Sequence, residues 1–423
     1  DVYKRQVRVY ALRLAGVARL KSDPRLGRRF VALAAAAMCV TIVAAGLLAW
    51  QGFFIPSASG GTPTLAVLPF ENAGGDPAQD WFAEGITDEI LIALARSPLL
   101  AVVGRNSSSA YKDPGADQQA IAAQLGARYL VTGRVQRSAD RVRVTARLTD
   151  ARSGTDLWSE KYDRPLTDVF AVQDEIVGVI AARLDARIQS VETAAGRSAT
   201  EVGAYEKVLQ ARALRHSDAS KEATLRTRAL LQEALALDPN SALAHAELGF
   251  TYYREIARRW NQARKNEALA TGIAAASRAL ELDPSLAFAN VTMGNLLLRR
   301  HDFAQAESFM RRAIELNPND PDSYAGLANV LLFVNRAEEA LPMIEKAIAL
   351  DPLYPPLYDN YLGRALMFTR QFEKAIPVLK ECVRRLPDSW SCHSYLATVQ
   401  HFTGDDAAAA SAFARMLELA PYK

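Results

Sequence analysis

Hydrophobic residues recur at helical spacing through the second half of this chain. One sequence motif occurs six times and ends at a proline, in forms such as Ala-Leu-Glu-Leu-Asp-Pro. The steps between these prolines are 45, 34, 34, 35 and 34 residues. A period near 34 is typical of stacked helix-turn-helix repeats, so we predict an all-α solenoid over residues 200–423. The six prolines are Pro239, Pro284, Pro318, Pro352, Pro387 and Pro421.

Small residues stand at fixed distances from the last four prolines, where two helices of one repeat would touch closely. The earlier copies are less regular. Extra residues within 256–268 lengthen the second copy, and the first, over residues 202–237, lacks the Leu-Gly signature. We therefore predict six helix pairs, two of them imperfect. The small residues are Gly294, Ala328, Gly363 and Ala397, followed after twelve positions by Ala306, Ala340, Ala375 and Ala409.

Residues 62–190 show a different pattern, in which strand-like and helical segments alternate. Along residues 141–148, Val142, Val144, Ala146 and Leu148 alternate with Arg141, Arg143, Thr145 and Arg147, which predicts one buried and one basic, solvated sheet face. The order βαβαβββα predicts a small α+β domain with helices on one side of a mixed sheet. The predicted strands are 64–70, 100–103, 128–136, 142–149 and 156–162, and the helices are 81–96, 118–125 and 169–188.

Charged residues in this domain do not predict catalysis. The arginines of residues 141–147 could bind an anion, but a solvated sheet face is the favoured interpretation. Glu84, Asp88 and Glu89 cluster near a predicted helix start, where acidic residues favour the helix dipole. Gly74 and Gly75 belong to a turn, because no Gly-Lys-Ser/Thr follows them. We expect no catalytic residues, no metal and no cofactor, so the chain as given is not predicted to be an enzyme.

Residues 30–50 form an apolar run of 21 residues without charge. As a helix it would be about 31 Å long, enough to span a bilayer core. The positive-inside rule places residues 1–29 in the cytoplasm and everything after residue 50 outside it. Residues 51–61 are a predicted linker. A signal peptide cleaved near Ser57-Ala58-Ser59 and a buried core helix are the alternatives.

The distribution of charge along the chain argues against nucleic-acid binding. Residues 1–29 carry nine Lys or Arg against two Asp, a net charge of +7, so the rest of a chain of net charge +3 carries −4. The chain therefore has no basic domain of the kind that binds nucleic acid. The chain begins with Asp1 rather than Met, and residues 1–6 carry no weight in the interpretation.

Four ordered blocks in residues 62–190 resemble the TolB-type N-terminal domain. That family implies a small, non-catalytic α+β domain outside the cytoplasmic membrane. It occurs between a membrane helix and tetratricopeptide repeats (TPRs) in bacterial adenylate cyclase-like proteins, and in CadC-like transcription regulators. The blocks are 66–72 (Ala-Val-Leu-Pro-Phe-Glu-Asn), 82–89 (Phe-Ala-Glu-Gly-Ile-Thr-Asp-Glu), 125–133 (Leu-Gly-Ala-Arg-Tyr-Leu-Val-Thr-Gly) and 157–163 (Leu-Trp-Ser-Glu-Lys-Tyr-Asp).

Residues 7–12 (Val-Arg-Val-Tyr-Ala-Leu) are similar to the closing strand of a class III nucleotide cyclase domain. This resemblance implies that a catalytic domain precedes Asp1, with residues 1–29 containing its tail. None of that domain's metal-binding or base-recognising residues is present to be assigned.

The repeats resemble TPRs, whose first helices line a concave face. TPR geometry predicts that nine residues face this groove and bind a protein or peptide partner. Asn295, Asn329 and Arg364 occupy one position in successive repeats and should form a polar ladder, able to hold a peptide backbone or a carboxylate. The nine residues are Tyr253, Asn295, Arg299, Asn329, Phe333, Asn360, Arg364, Met367 and His401.

Cys382, Cys392, His393 and His401 could suggest a metal site, but helical positions separate them. Cys382 fills a small-residue packing position instead. In an oxidising periplasm a Cys382–Cys392 disulfide is an open alternative.

Together with the apolar run, these resemblances imply a membrane-anchored interaction and sensor module of an adenylate cyclase-like signalling protein. It would lie in a bacterial inner membrane, with its amino terminus in the cytoplasm and the residues after 50 in the periplasm. A non-signalling assembly scaffold and the external part of a CadC-like membrane-bound regulator remain alternatives. The expected partners are a protein or peptide and the membrane, with no nucleic acid, and a homodimer is one arrangement left open.

Overall fold

The computed structural model describes residues 64–183 and 199–419, apart from Leu99, residues 113–116 and Ala139. The predicted membrane span at residues 30–50, the basic segment 1–29 and the linker 51–61 lie outside the described residues. Within the described part of the chain, no helix is both long and apolar enough to cross a bilayer.

A mixed sheet forms the centre of the first domain, as predicted, but it has six strands rather than the five expected, because Glu71–Asn72 forms a further short strand. Its order is β3-β1-β4-β5-β6, with β2 also paired to β4. β1 runs parallel to β3 and β4, whereas β4, β5 and β6 form antiparallel pairs. The strands are β1 (Thr64–Val67), β2 (Glu71–Asn72), β3 (Ala101–Val102), β4 (Tyr129–Arg137), β5 (Arg141–Asp150) and β6 (Thr155–Pro165).

Helices cover both faces of this sheet, so the prediction of helices on one side was wrong. Leu65 and Val67 of β1 pack with α1 and α4, whereas Ala66 and Leu68 pack with α3 on the opposite face. β1 lies between two parallel neighbours, and its unbroken apolar run is typical of a strand buried on both faces. The four helices are α1 (Asp80–Ala95), α2 (Arg105–Ser108), α3 (Gln118–Leu125) and α4 (Val169–Arg183).

The alternation along β5 is confirmed. Its four apolar residues are fully buried against α1 and α4. On the other face Arg141 and Arg143 each contact a carboxylate oxygen of Asp163 at 2.7 Å. Because these guanidinium groups already have an acidic neighbour on β6, they belong to a solvated, charge-paired sheet surface.

The second half consists of six helix pairs, also as predicted. The irregular second copy accommodates its extra residues in a turn of 3₁₀ helix (Gln262–Arg264) and in a long second helix. The pairs are α5 (Ala199–Ser217) with α6 (Lys221–Leu237), α7 (Ala242–Ala257) with α8 (Lys265–Leu282), α9 (Ala287–Arg300) with α10 (Phe303–Leu316), α11 (Pro321–Phe333) with α12 (Ala337–Leu350), α13 (Leu357–Phe368) with α14 (Phe372–Arg385), and α15 (Trp390–Phe402) with α16 (Asp406–Leu419).

The small-residue positions are required by the close approach of the paired helices. A Cβ atom added to Gly294 would stand 2.9 Å from Met310 Cε, and one added to Gly363 would stand 2.4 Å from Leu379 Cδ2. Both distances are shorter than carbon–carbon contact allows, at about 3.5–4.0 Å. Larger residues there would force the helices of the pair apart.

The α+β domain packs directly on the first repeat helix. A Cβ atom added to Gly85 of α1 would lie 2.6 Å from Leu209 Cδ1 of α5, so the glycine permits the close contact. Nearby, the aromatic rings of Phe170 and Tyr205 are 4.4 Å apart between centroids. The two domains therefore share one apolar core, which contains Leu209 together with the residues of α1 and α4.

Two turns between later repeats also contact the α+β domain. The Asn319 side-chain amide donates to the carbonyls of Ala95 at 2.9 Å and Ser97 at 3.0 Å. Fully buried Asp351 accepts hydrogen bonds from the Ser107 backbone N–H at 2.8 Å and the Asn106 amide at 2.7 Å. The domain is thus held at the first repeat and again at the turns that follow α10 and α12.

A buried charge cluster joins the two halves. Arg212 of α5 is 6% exposed and forms an ion pair with Glu89 of α1. Glu247 of α7 is 1% exposed and lies 3.4 Å from Arg212 Nε and 3.0 Å from Arg215 Nε. Since an unpaired charge in such a site is costly, the three elements must stay together for the charges to remain compensated.

Replacing Glu247 with glutamine should therefore destabilise the fold. The change leaves Arg215 without this carboxylate and Arg212 with only the acidic residues Asp88 and Glu89 of α1. We expect the free energy of unfolding to fall by about 3–5 kcal/mol. Urea unfolding followed by circular dichroism measures the loss. The control is Glu315→Gln, which removes an exposed partner of Arg312 and should cost less than about 0.5 kcal/mol. Equal effects of the two substitutions would contradict the proposed importance of the cluster.

Candidate binding groove of the repeats

The nine predicted groove residues lie on the first helices of successive repeats: α7, α9, α11, α13 and α15. Helices α9, α11, α13 and α15 contact their neighbours in this series. The residues fall into three groups, namely a central cluster around two arginines, a set used in packing, and one histidine at the far end.

Two arginines and two tyrosines form the central cluster. The Arg299 guanidinium lies over the Tyr253 ring, 5.7 Å from its centroid. Tyr361 of α13, which was not among the predicted residues, belongs here too. Burial raises the pKa of Tyr361, the nearby Tyr253 raises it further, and Arg299 and Arg364 oppose the rise. These side chains come from α7, α9 and α13, so they share one electrostatic environment across the groove.

Arg364 is positioned by aromatic rings. Its guanidinium lies 4.6 Å from the Phe333 ring centroid and 5.6 Å from that of Phe368. It also donates a hydrogen bond to the Leu332 carbonyl at 3.0 Å. Phe333 is 44% exposed and stacks on Phe303. The arginine is therefore held at a partly apolar surface that remains open to solvent.

Three of the predicted residues are largely buried: Asn329, Asn360 and Met367. The Asn360 amide donates to Ser391 Oγ at 3.0 Å and lies 3.5 Å from Cys392 Sγ. Asn360 therefore connects α13 to α15. In the described part of the chain no hydrogen bond joins the side chains of half-buried Asn295, buried Asn329 and Arg364, so the polar ladder stays a prediction.

His401 lies apart from the central cluster. It is exposed on α15, and its Nδ1 is 2.8 Å from Asp406 Oδ1. Its neighbour Phe402 is largely exposed and stacks on Phe372. The structure thus brings Tyr253, Arg299 and Arg364 together and leaves His401 at the end of the array.

Cys382 and Cys392 form a disulfide that links α14 to α15, with Cα atoms 5.9 Å apart. Among the residues that the structure describes, no group of three or more His, Cys, Asp or Glu side chains could hold a metal ion.

In the first repeat, the face of α5 that corresponds to the groove contacts the α+β domain. The sequence did not predict this contact. His216 stands 23 residues before Pro239, as Asn295 stands 23 before Pro318. Its Nε2 lies 3.9 Å from Asp88 Oδ2 of α1. Helix α1 therefore covers the part of the groove nearest the amino-terminal end of the array.

Asp88 and Glu89 of α1 take part in this contact, and the interpretation of the three acidic residues as a helix-start cluster was wrong. Helix α1 begins at Asp80, and Glu84, Asp88 and Glu89 lie beyond its first turn. Asp88 contacts Arg105 at 2.6 Å, and Glu84 contacts Lys112 at 2.6 Å. The complementary charges of α1 and α5 were the available signal, but sequence spacing alone could not pair them.

Known families match both halves of the chain. The model of the TolB amino-terminal domain matches residues 55–157. Tetratricopeptide-repeat models match residues 297–364 and 362–423. The chain carries a TolB amino-terminal domain followed by tetratricopeptide repeats. Such repeats mediate protein–protein interaction, and no catalytic domain is evident among these matches.

A protein of Rhizobium meliloti (strain 1021) named "Putative adenylate cyclase 3" is 36% identical over 248 residues. The match covers 57% of this chain and 42% of the relative, so the chain spans less than half the length of that protein.

Three solved structures are each similar to part of the chain. PilF of Pseudomonas aeruginosa is 18% identical with a TM-score of 0.42, covering 53% of this chain and 96% of that one. YrrB, described as a TPR protein with an unusual peptide-binding site, is 17% identical with a TM-score of 0.34, covering 45% and 93%. MamA from Desulfovibrio magneticus RS-1 is 21% identical with a TM-score of 0.34, covering 41% and 94%.

The contact between α1 and α5 should make stability depend on pH through His216. Burial and the guanidinium groups of Arg215, Arg105, Arg212 and Arg254 lower the pKa of His216 well below its usual 6.5, despite Asp88 nearby. The unfolded chain then binds a proton that the folded chain does not, so stability falls as the pH drops below about 6.5.

A His216→Gln variant should lose this dependence, which amounts to at most about 1.4 kcal/mol per pH unit. Urea unfolding between about pH 7 and about pH 5 measures the slope. Ser217→Ala, which alters a neighbouring residue that does not titrate, is the control and should retain the wild-type slope. An unchanged slope in His216→Gln would contradict the assignment.

Proposed function

We propose that this chain is the membrane-anchored partner-binding and sensor part of an adenylate cyclase-like signalling protein. The repeats supply the interaction surface, and the similarity to a relative named as an adenylate cyclase supports the signalling role. The relative is more than twice as long as the matched segment, which leaves room there for further domains. The catalytic domain would precede Asp1.

The groove formed by α7, α9, α11 and α13 is the surface where a protein or peptide partner would bind. The observation that carries this proposal is the convergence of Tyr253, Arg299, Tyr361 and Arg364 from three repeats on one surface. Polar and aromatic side chains from separate helices at one place are characteristic of recognition sites. The covered first repeat directs the partner towards these later helices.

The proposed signal passes through residues 30–50. Their apolar length and the net charge of +7 on residues 1–29 support a single span with the amino-terminal side in the cytoplasm. A partner outside the membrane that binds one arrangement of two subunits better than another would shift the population of the active arrangement. Differential binding of this kind is what a sensor needs.

Photo-crosslinking in cells tests the groove. A photoreactive amino acid at Asn295 should crosslink to a partner, whereas one at exposed Arg312 of α10 should not. Adding Asn329→Ala and Arg364→Gln should reduce the Asn295 crosslink at least about ten-fold, because a lost charge-assisted hydrogen bond is worth about 1.5–3 kcal/mol. In the parent protein the same substitutions should change cAMP output. Unchanged crosslinking and unchanged cAMP together would refute the groove as the binding surface.

A topology fusion tests the anchor. Alkaline phosphatase attached after Lys423 should be active in bacteria if residues beyond 50 lie outside the cytoplasm, because this enzyme needs its disulfides. A fusion after residue 29 should be inactive. Activity of the second fusion, or inactivity of the first with the protein present at normal level, would contradict the proposed orientation.

A further inference from the structure

The sheet of the α+β domain ends in a long strand that is open on one side. Strand β6 pairs with β5, and no strand in the described part of the chain pairs with its outer side. Eight of its 11 residues are exposed. At the opposite end of the sheet, β3 has only two residues, and the N–H of Gly104 beyond it donates to the Leu350 carbonyl at 2.7 Å. The β6 edge is therefore the long free edge of this sheet.

Every second residue of β6 directs its backbone groups away from β5. The Leu166 N–H donates to the Asp140 carbonyl at 2.8 Å, in the same register as the preceding pairs of β5 and β6. Because antiparallel strands exchange hydrogen bonds at alternate pairs, the even-numbered residues from 158 to 166 bond to β5. The N–H and C=O groups of odd-numbered residues such as Lys161 and Asp163 therefore point outward, towards the position of a further strand.

Two opposite charges on this edge do not neutralise each other within one chain. Glu160 and Arg164 are exposed on the same face of β6, but four residues of extended strand separate them by roughly 13 Å. The Glu160 carboxylate accepts hydrogen bonds from Trp158 Nε1 at 3.2 Å and from the Tyr162 hydroxyl at 3.4 Å, which hold it in place. Arg164 forms no ion pair with any other described residue. The edge therefore presents a positioned negative charge and an unpaired positive one.

A second copy of β6 complements these charges in one antiparallel register. Since only residues with outward backbone groups bond across the edge, a two-fold symmetric pairing must be centred on a residue. Centred on Tyr162, the pairing places Glu160 opposite Arg164 of the second copy, twice by symmetry. It also places Lys161 opposite Asp163, although Asp163 already has two arginine neighbours on β5. Centred on any of these four charged residues, the pairing would instead place a charge opposite its own copy, which is unfavourable.

We propose that two copies of this protein pair through their β6 edges, centred on Tyr162, so that their two sheets become one continuous sheet. Charged residues on an edge strand usually discourage pairing. Here the order of charges over residues 160–164 is minus, plus, neutral, minus, plus, which is complementary to itself when one copy is reversed. Charges that only kept the edge free would not need this symmetry. The inference goes beyond the proposed function, because it concerns the α+β domain and does not require the groove of the repeats.

Disulfide trapping tests the register, with the full 423-residue chain purified in detergent. Cys39→Ser removes the remaining native thiol, since Cys382 and Cys392 form a disulfide. Residues directly opposite each other in a non-hydrogen-bonded pair have Cα atoms about 4.5 Å apart, a distance that a disulfide spans. Glu160→Cys combined with Arg164→Cys should therefore give a covalent dimer on mild oxidation, visible on a non-reducing gel.

Neither single cysteine variant should crosslink, because in this register each position lies roughly 13 Å from its own copy. Single variants that crosslink as well as the double variant would overturn the register. A double variant that stays monomeric under oxidation would overturn the pairing itself.

Exchange of charges tests the pair that the register creates. Glu160→Arg and Arg164→Glu should each weaken the dimer at least about ten-fold, because two attractive pairs become repulsive. The two substitutions together should restore the dimer, a recovery that a damaged fold would not show. Arg152→Glu, in the exposed turn between β5 and β6, is the matched control and should leave the dimer unchanged. Sedimentation velocity over a range of protein concentrations measures the dissociation constant, and thermal unfolding checks that each variant folds.

A wild-type chain that is monomeric at every concentration would show that the charges of β6 only protect the edge, and would overturn the inference. So would a double exchange that fails to restore the dimer, or a loss of dimer in Arg152→Glu equal to that in Glu160→Arg. The proposed function fails separately, if crosslinking at Asn295 captures no partner that depends on Asn329 and Arg364.

Discussion

The buried charge cluster around Arg212 and Glu247 is the interaction on which the arrangement of this protein depends. It lies where α1, α5 and α7 meet, so it belongs to the α+β domain and to the first two repeats at once. Charges held this deeply are poor sources of net stability, but they penalise any arrangement that separates them. Their effect is specificity, because the TolB-type domain can dock on this solenoid in one way with its charges paired. The contacts of Asn319 and Asp351 then fix the angle of docking.

Most of the secondary structure could be predicted because it follows from local periodicity. The 34-residue spacing of prolines and the small residues between them placed the repeat helices, and the alternation along residues 141–148 placed β5 with its buried face. The second covered face of the sheet was missed, although the unbroken apolar run of β1 was its visible sign. Periodicity shows that a strand is buried, but not how many neighbours bury it.

Contacts between residues that lie far apart in the sequence could not be predicted. Glu84, Asp88 and Glu89 resembled an ordinary acidic helix start until the structure placed arginines of α2 and α5 beside two of them. In the groove, helical spacing identified Arg299 and Arg364 but could not show that neither forms an ion pair with another described residue. It also omitted Tyr361, which joins the cluster from α13. The partners of these side chains lie tens to hundreds of positions away along the chain. Such partners cannot be identified from a single sequence.

The spacing of the contacts between the domains has a consequence for evolution. The α+β domain touches α5 and the turns after α10 and α12, so the repeats between these points form a span of defined length. Inserting or deleting one repeat within this span would move Asp351 or Asn319 away from its partners by the width of a helix pair. Repeats added beyond α14 would disturb none of these contacts. The array is therefore free to vary in length at its carboxyl-terminal end, while its amino-terminal portion behaves as a closed unit of fixed size.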